Sequence, residues 1–405
     1  MNNSNLNLTT EQVDYFLSPK AIRESAAKIY RYVESGKSHF QLHLDKLDLT
    51  VDYVLEVIQK NYPDLNIPFH SRWGHFRVGG VDRVTLLEEK LKTQNSDALE
   101  MARVKLDLVI TSVLLDAGAG AGWSYLEEST GKVFSRSEGL GVASYYLFLS
   151  GLMSHDKKSL RVDAAGLSGL SEEHINQYFQ VSEKNPLLGV SGRLQLLNNL
   201  AKALEVKTIF KDGRPGNIID YLISKHGNTI PAVAILRAVL DGLGPIWPGR
   251  LSAQGVSLGD VWQHQGTGEL IAFHKLSQWM TYSLIEPIMQ AGIVVTGVDQ
   301  LTGLAEYRNG GLLIDIGLIS VKNEKELESK WLPSSDFIIE WRALTIYFLD
   351  IIGARIQRAL KKTSDEFPLA KVLEGGTWWA GRFLAQQKRV SGDPPVQLQS
   401  DGTVF

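Results

Sequence analysis

The chain has 405 residues, 44% of them hydrophobic and 21% charged, with a formal net charge of −3. That is the composition of a globular protein with a substantial core, and the near-neutral balance offers no broad basic face for nucleic acid or an anionic membrane. There is no cysteine, so disulfides, thiolate metal sites and cysteine nucleophiles are excluded. The start of the chain (Asn2, Asn3, Ser4, Asn5) is polar, without a basic region leading into an apolar run. No stretch reaches about 18 uninterrupted apolar residues, the length a membrane-spanning helix needs. The expectation is a cytoplasmic protein with no membrane span.

In chain order, residues 19–36 open on Ser18-Pro19 and continue through a helix-forming run from Ala21 to Glu34. Residues 60–83 are polar and irregular. Helical periodicity then spans 84–117, 141–153 and 193–205. The alternation Lys207-Thr208-Ile209-Phe210 predicts a short strand, closed by a turn at Asp212-Gly213-Arg214-Pro215-Gly216. Helices follow over 230–243, 270–292 and 337–361, interrupted by the Gly/Pro-rich run from Gly242 to Arg250. The tail 391–405 contains Asp393-Pro394-Pro395 and reads as a terminal arm. The predicted fold is mainly α: a single large helical domain over 1–405, with the 60–83 segment as its most irregular part.

Three segments carry candidate chemistry. Within 270–292, Phe273, Leu276, Met280 and Leu284 define one apolar face, and Lys275, Trp279, Tyr282 and Glu286 lie on another. An ammonium with two rings suits a phosphorylated, planar ligand, while the same pattern also fits a lysine stem snorkelling past half-buried aromatics. The run Leu114-Leu115-Asp116-Ala117-Gly118-Ala119-Gly120-Ala121-Gly122-Trp123 ends in small residues that admit close approach of a ligand or of another backbone. It lacks the Gly spacing of a dinucleotide or P-loop site. Leu301-Thr302-Gly303-Leu304-Ala305-Glu306-Tyr307-Arg308 sets a carboxylate two residues before a guanidinium and runs into Asn309-Gly310-Gly311. Histidines 70, 75, 264 and 274 show no metal-ligand spacing, so neither a metal nor another cofactor is expected. Two segments rich in donors and rings, 69–76 and 374–382, fit a ligand-facing lid or a plain surface loop equally well.

Four stretches stand in an order that resembles the queuosine-salvage N-glycosidases: Leu114-Leu115-Asp116-Ala117 ending at Trp123; Phe273-His274-Lys275 with Gln278; Leu301-Thr302 with Ala305-Glu306-Tyr307-Arg308; and Glu340-Trp341-Arg342-Ala343 with Thr345. The whole chain more closely resembles the family of uracil-catabolism protein four, through His70-Ser71-Arg72-Trp73-Gly74-His75-Phe76 and Gly376-Thr377-Trp378-Trp379. The first resemblance implies a helical fold related to helix-hairpin-helix DNA glycosylases and cleavage of a nucleotide N-glycosidic bond. It places Glu306 at the catalytic aspartate, Lys275 at the active-site lysine, Arg308 at the arginine two residues beyond the carboxylate, and Asp116 at the aspartate facing the base. Trp123, His274, Trp279, Tyr307 and Arg342 complete the substrate-binding set. Glu306 replaces an aspartate, and Gly118, Gly120 and Gly122 stand where the glycosidases carry larger residues, which argues against queuine as substrate.

The implied reaction develops positive charge at the anomeric carbon, which a fixed carboxylate stabilises. Glu306 takes that role, Lys275 and Arg308 hold a 5′-phosphate, and Asp116 bonds the leaving base or urea. The expected partner is a ribosyl or nucleotide small molecule, such as ribosylurea, its phosphate or a uridine monophosphate derivative. Three other readings stand beside this one: hydrolysis of the ureido C–N bond, phosphoribosyl transfer, and a non-catalytic ligand-binding protein. Phosphoribosyl transfer lacks its usual acidic, Gly-rich phosphate loop. The charge balance argues against a nucleic-acid-binding helix-hairpin-helix module.

Overall fold

Ser18 shows how local chemistry starts this fold: its hydroxyl accepts the Ala21 N–H, and Pro19 occupies the first helical position, where a missing N–H costs nothing. In this computed structural model, which describes residues 4–116, 118–120, 122–247 and 251–399, the fold is mainly α with short, paired strands. The chain divides into two compact units.

The first unit takes residues 1–70, 249–278 and 297–405. Helix Pro19–Glu34 buries Ala21, Ile22, Ala26, Ile29 and Val33 along one stripe. It packs on the long helix Asp336–Ala359, where Tyr30 stacks on Tyr347 with ring centroids 4.0 Å apart. Helix Leu47–Asn61 presents Val54 and Ile58 to a π-turn at Leu373–Thr377. A Cβ at Gly376 would lie 2.6 Å from Val54, so the approach needs glycine. The turn runs directly into helix Trp378–Lys388, which packs against helix Tyr307–Asp315. Strands Val261–His264 and Glu269–Ala272 form an antiparallel hairpin whose turn amides, Gln265 and Gly266, donate to Asp336.

The second unit takes 71–248 and 279–296. Its central helix, Ala98–Leu114, is buried on nearly every side from Ala102 onward. Around it lie helices Arg83–Thr93, Arg136–Leu149 and Val190–Ala203, and a hairpin of Ser124–Glu127 with Lys132–Ser135. Strands Thr229–Pro231 and Val294–Thr296 pair in parallel. Arg83 and Glu127 form a buried bidentate ion pair at 2.7 and 2.6 Å. Helix Lys275–Gln290 begins in the first unit and ends in the second. Pro287 inside it leaves the Ser283 carbonyl without its intrahelical donor, and the Trp73 indole N–H fills that vacancy at 2.7 Å.

Three expectations from periodicity are corrected. The run 84–117 is two helices, because Asn95 adopts a left-handed φ of 56° and Asp97 then caps a new helix through the Glu100 N–H. Lys207–Phe210 is no strand: the Ile209 and Phe210 amides both turn back to the Val206 carbonyl. The region 270–292 opens as the strand Glu269–Ala272 and becomes helical only at Lys275, after His274 at φ 49°. In its second stripe Trp279 and Tyr282 are buried rather than half-buried.

Candidate functional site

Glu306 ends an irregular approach, Leu301 to Ala305, whose start is fixed by Arg23 donating to the carbonyls of Gln300 and Leu301 at 2.8 Å each. It is the N-cap of helix Tyr307–Asp315. One carboxylate oxygen accepts the Arg308 N–H at 2.8 Å and the other the Asn309 N–H at 2.6 Å. The carboxylate is therefore a buried, rotationally fixed negative charge at the positive end of a helix. Asn309 is held in turn by donating to the Leu304 carbonyl and by accepting the Thr377 hydroxyl at 2.8 Å, which ties the cap to the π-turn. Arg308 stacks on Tyr307, Cζ 5.4 Å from the ring centre, and donates to the Gly392 carbonyl at 2.7 Å.

Asp260 organises the second cluster of this unit. Arg342 grips it bidentately at 2.9 and 2.6 Å, the Trp262 indole N–H donates at 2.6 Å, and the Lys275 backbone N–H at 3.1 Å. Burial opposes ionisation of Asp260, yet the Arg342 pair and the Trp262 bond overcome it and hold the carboxyl below its ordinary range. The Arg342 guanidinium also lies 4.0 Å above the Phe273 ring. His274, in its left-handed conformation, donates Nε2–H to the Phe16 carbonyl at 2.7 Å; its buried Nδ1 has no partner among the described residues. Burial lowers its pKa despite the Phe16 bond, so the ring is neutral. Four residues along the chain, both polar atoms of the wholly buried Gln278 side chain lack partners among the described residues. Each unpaired buried group costs about 1–3 kcal/mol, and such a cost is retained at sites that serve a ligand more readily than in a plain core.

A third cluster stands on the turn Leu373–Thr377. Glu374 pairs with His70 Nδ1 at 2.7 Å, and Tyr62 bonds the same carboxyl. The Tyr62 phenol rises to about 12, first through burial and then through that negative charge. Trp378 lies beside His70, with Arg382 over its ring.

In the second unit, Asp116 accepts from Arg72 Nη1 at 2.6 Å and from the Ser137 hydroxyl at 3.3 Å. Trp279 lies by Arg72, Cζ 5.7 Å from the ring centre. Trp123 sits in the core, 1% exposed, with its indole N–H on the Phe179 carbonyl at 2.8 Å. The Leu188 side chain packs on Gly120, so part of the small-residue stretch accommodates the chain itself; Ala117 and Ala121 lie outside the described residues.

His274, Lys275, Glu306, Tyr307, Arg308 and Arg342 thus belong to the first unit, and Asp116, Trp123 and Trp279 to the second. Sequence reasoning missed Asp260, whose partner Arg342 lies 82 residues away, and Arg72, noted only as part of a donor-rich loop. Among the described residues, no group of three or more His, Asp or Glu side chains is arranged to hold a metal ion, and no helix is long and apolar enough to cross a membrane.

Residues 15–405 match the family described as "Protein of unknown function (DUF1688)", and the chain belongs to that family. It is 39% identical to "Uracil catabolism protein 4" of Lachancea kluyveri, over 97% of this chain and 99% of that protein. It is 38% identical to "Protein urg3" of Schizosaccharomyces pombe, over 98% of this chain and the whole of that protein.

Proposed function

We propose that this protein acts in the breakdown of uracil by hydrolysing the N-glycosidic bond of a ribosyl or 5′-phosphoribosyl compound. The candidates are ribosylurea, its 5′-phosphate or a uridine monophosphate derivative. The printed name of the Lachancea kluyveri relative, "Uracil catabolism protein 4", suggests the pathway, and Glu306 suggests the chemistry. Its carboxylate is buried, and both oxygens are held by backbone N–H groups, so it meets a developing positive charge without reorganising. In this reading the anomeric carbon gains oxocarbenium character beside Glu306, water adds there, and the base or urea departs with the bonding electrons and takes up a proton. Lys275, at the first turn of its helix, and Arg308, beside Glu306, supply positive charge for a 5′-phosphate, drawing binding energy from a part of the substrate away from the broken bond.

The test is turnover of ribosylurea, with and without phosphate, followed by release of reducing sugar and of urea. Glu306→Gln keeps one oxygen for the cap but removes the charge and sets an NH2 against the second backbone N–H, so kcat should fall by about a hundredfold or more while the fold loses about 1–3 kcal/mol. Turnover equal to wild type in that variant refutes the assignment. Urea release without any reducing sugar would move the cleavage to the ureido bond.

A further inference from the structure

Arg72 is wholly buried, and its guanidinium is fixed from several directions. Nε donates to the Ser112 hydroxyl at 2.8 Å; Nη1 donates to Asp116 at 2.6 Å and to the Ser137 carbonyl at 3.3 Å. The remaining nitrogen, Nη2, is buried with no partner among the described residues. The indole of Trp279, 5% exposed and with its ring centre 5.7 Å from Arg72 Cζ, likewise has a buried N–H with no partner among the described residues. Both side chains are anchored at their bases by one residue, Ser283. Its hydroxyl accepts the Arg72 backbone N–H at 2.9 Å and donates to the Trp279 carbonyl at 2.8 Å. Two neighbouring, rigidly mounted and unpaired donors are not explained by packing, which would satisfy or exclude them. The carboxylate beside them, Asp116, is partly open to solvent.

We infer that Arg72, Trp279 and Asp116 form a binding site for a ureide, a carbonyl flanked by N–H as in uracil or an N-substituted urea. The Arg72 and Trp279 donors take the carbonyl oxygen, and the Asp116 carboxylate accepts the adjacent N–H. A carboxylate ligand fits less well, because it has no N–H to offer Asp116 and brings a second negative charge to it. The choice of ureides over other amides rests on the proposed role in uracil breakdown; the donor and acceptor geometry does not.

The experiment is calorimetric titration of the full chain with uracil, N-ribosylurea and ribose 5-phosphate, repeated on Trp279→Phe and Arg72→Lys. Wild type should bind both ureides, and each variant should bind them at least tenfold more weakly while its response to ribose 5-phosphate is unchanged. Where Arg72→Lys fails to fold, Trp279→Phe decides, since it removes the N–H and keeps a ring. Ureide affinities within twofold of wild type in Trp279→Phe overturn the site, as does a wild type that binds no ureide. A protein that binds ureides through these donors yet releases no sugar from any ribosyl compound refutes the hydrolase reading and leaves this site standing.

Discussion

Glu340, on the long helix of the first unit, accepts from the Ser38 hydroxyl, the His39 backbone N–H and the His39 ring on one oxygen, and from His264 on the other. The His264 tautomer follows from its neighbours: Nδ1 accepts the Thr267 N–H, so Nε2 carries the hydrogen that reaches Glu340. Burial works against ionisation of this carboxyl, but the bonds from His264 and His39 prevail and set it at about 2. The bond to Glu340 raises His39 above its ordinary value of 6.5, with burial opposing. A carboxyl depressed below its unfolded value of 4.5 stabilises the fold above that pH and loses the contribution as pH falls toward 2. A raised histidine stabilises below 6.5 and loses its contribution as pH climbs past its folded value. Both contributions coexist between 4.5 and 6.5, so stability from this cluster peaks there. Glu340→Gln should lower unfolding free energy at pH 6 by about 1–3 kcal/mol and flatten the loss between pH 4.5 and 2. Urea unfolding across that range checks it; parallel pH curves for wild type and variant would refute the role given to Glu340.

At the scale of elements, the closest packing in the first unit is where helix Trp378–Lys388 meets helix Tyr307–Asp315. A Cβ at Gly381 would stand 2.1 Å from the Arg308 carbonyl oxygen, and one at Gly310 would enter the Trp341 indole at 2.7 Å. Backbone cannot step aside as a side-chain end can, so Gly381→Ala must push the two helices apart. The expected cost is about 3 kcal/mol, the upper end for overpacking. Because Arg308 donates its backbone N–H to Glu306, the turnover proposed above should fall too. Chemical denaturation and an activity assay on the same preparation test both; full stability in Gly381→Ala would contradict the packing. Much of this architecture was legible in the sequence. Ser18-Pro19 announces its helix, and the apolar spacing from 337 to 361 tracks the helix Asp336–Ala359. The break at Asn95 was legible but overlooked: Lys92 to Asp97 carries no apolar residue, and Asp97 with Glu100 three residues on is a helix-start signal. The carboxylate at 306 was visible as a charge beside Arg308, but its capping bonds were not, because glutamate is an uncommon N-cap. Asp260 and Arg72 escaped for another reason: each gains its meaning from partners distant in sequence, to which local periodicity is blind.

At the scale of the whole chain, each unit is assembled from discontinuous segments, and that makes a prediction about fragments. Residues 71–248 hold most of the second unit but lack 279–296. Without that segment, Thr229–Pro231 loses its only strand partner among the described residues, Val294–Thr296. Arg72 and Trp73 lose Ser283, which accepts from both. Lys105, buried in the central helix, loses Gln290, a 2.7 Å acceptor that it has alongside Glu88. Arg77 loses Glu286 at 2.8 Å. Lys105 keeps only Glu88 for its buried ammonium, and this lost acceptor, added to the other lost partners, destabilises the fragment. The fragment 71–248 should therefore lack a cooperative thermal transition and bind hydrophobic dyes. The longer fragment 71–296 restores every one of these partners and should melt cooperatively. Circular dichroism melts of the two fragments separate the possibilities. If 71–248 melted as sharply as 71–296, the segment 279–296 would be an ornament on the second unit rather than part of its core.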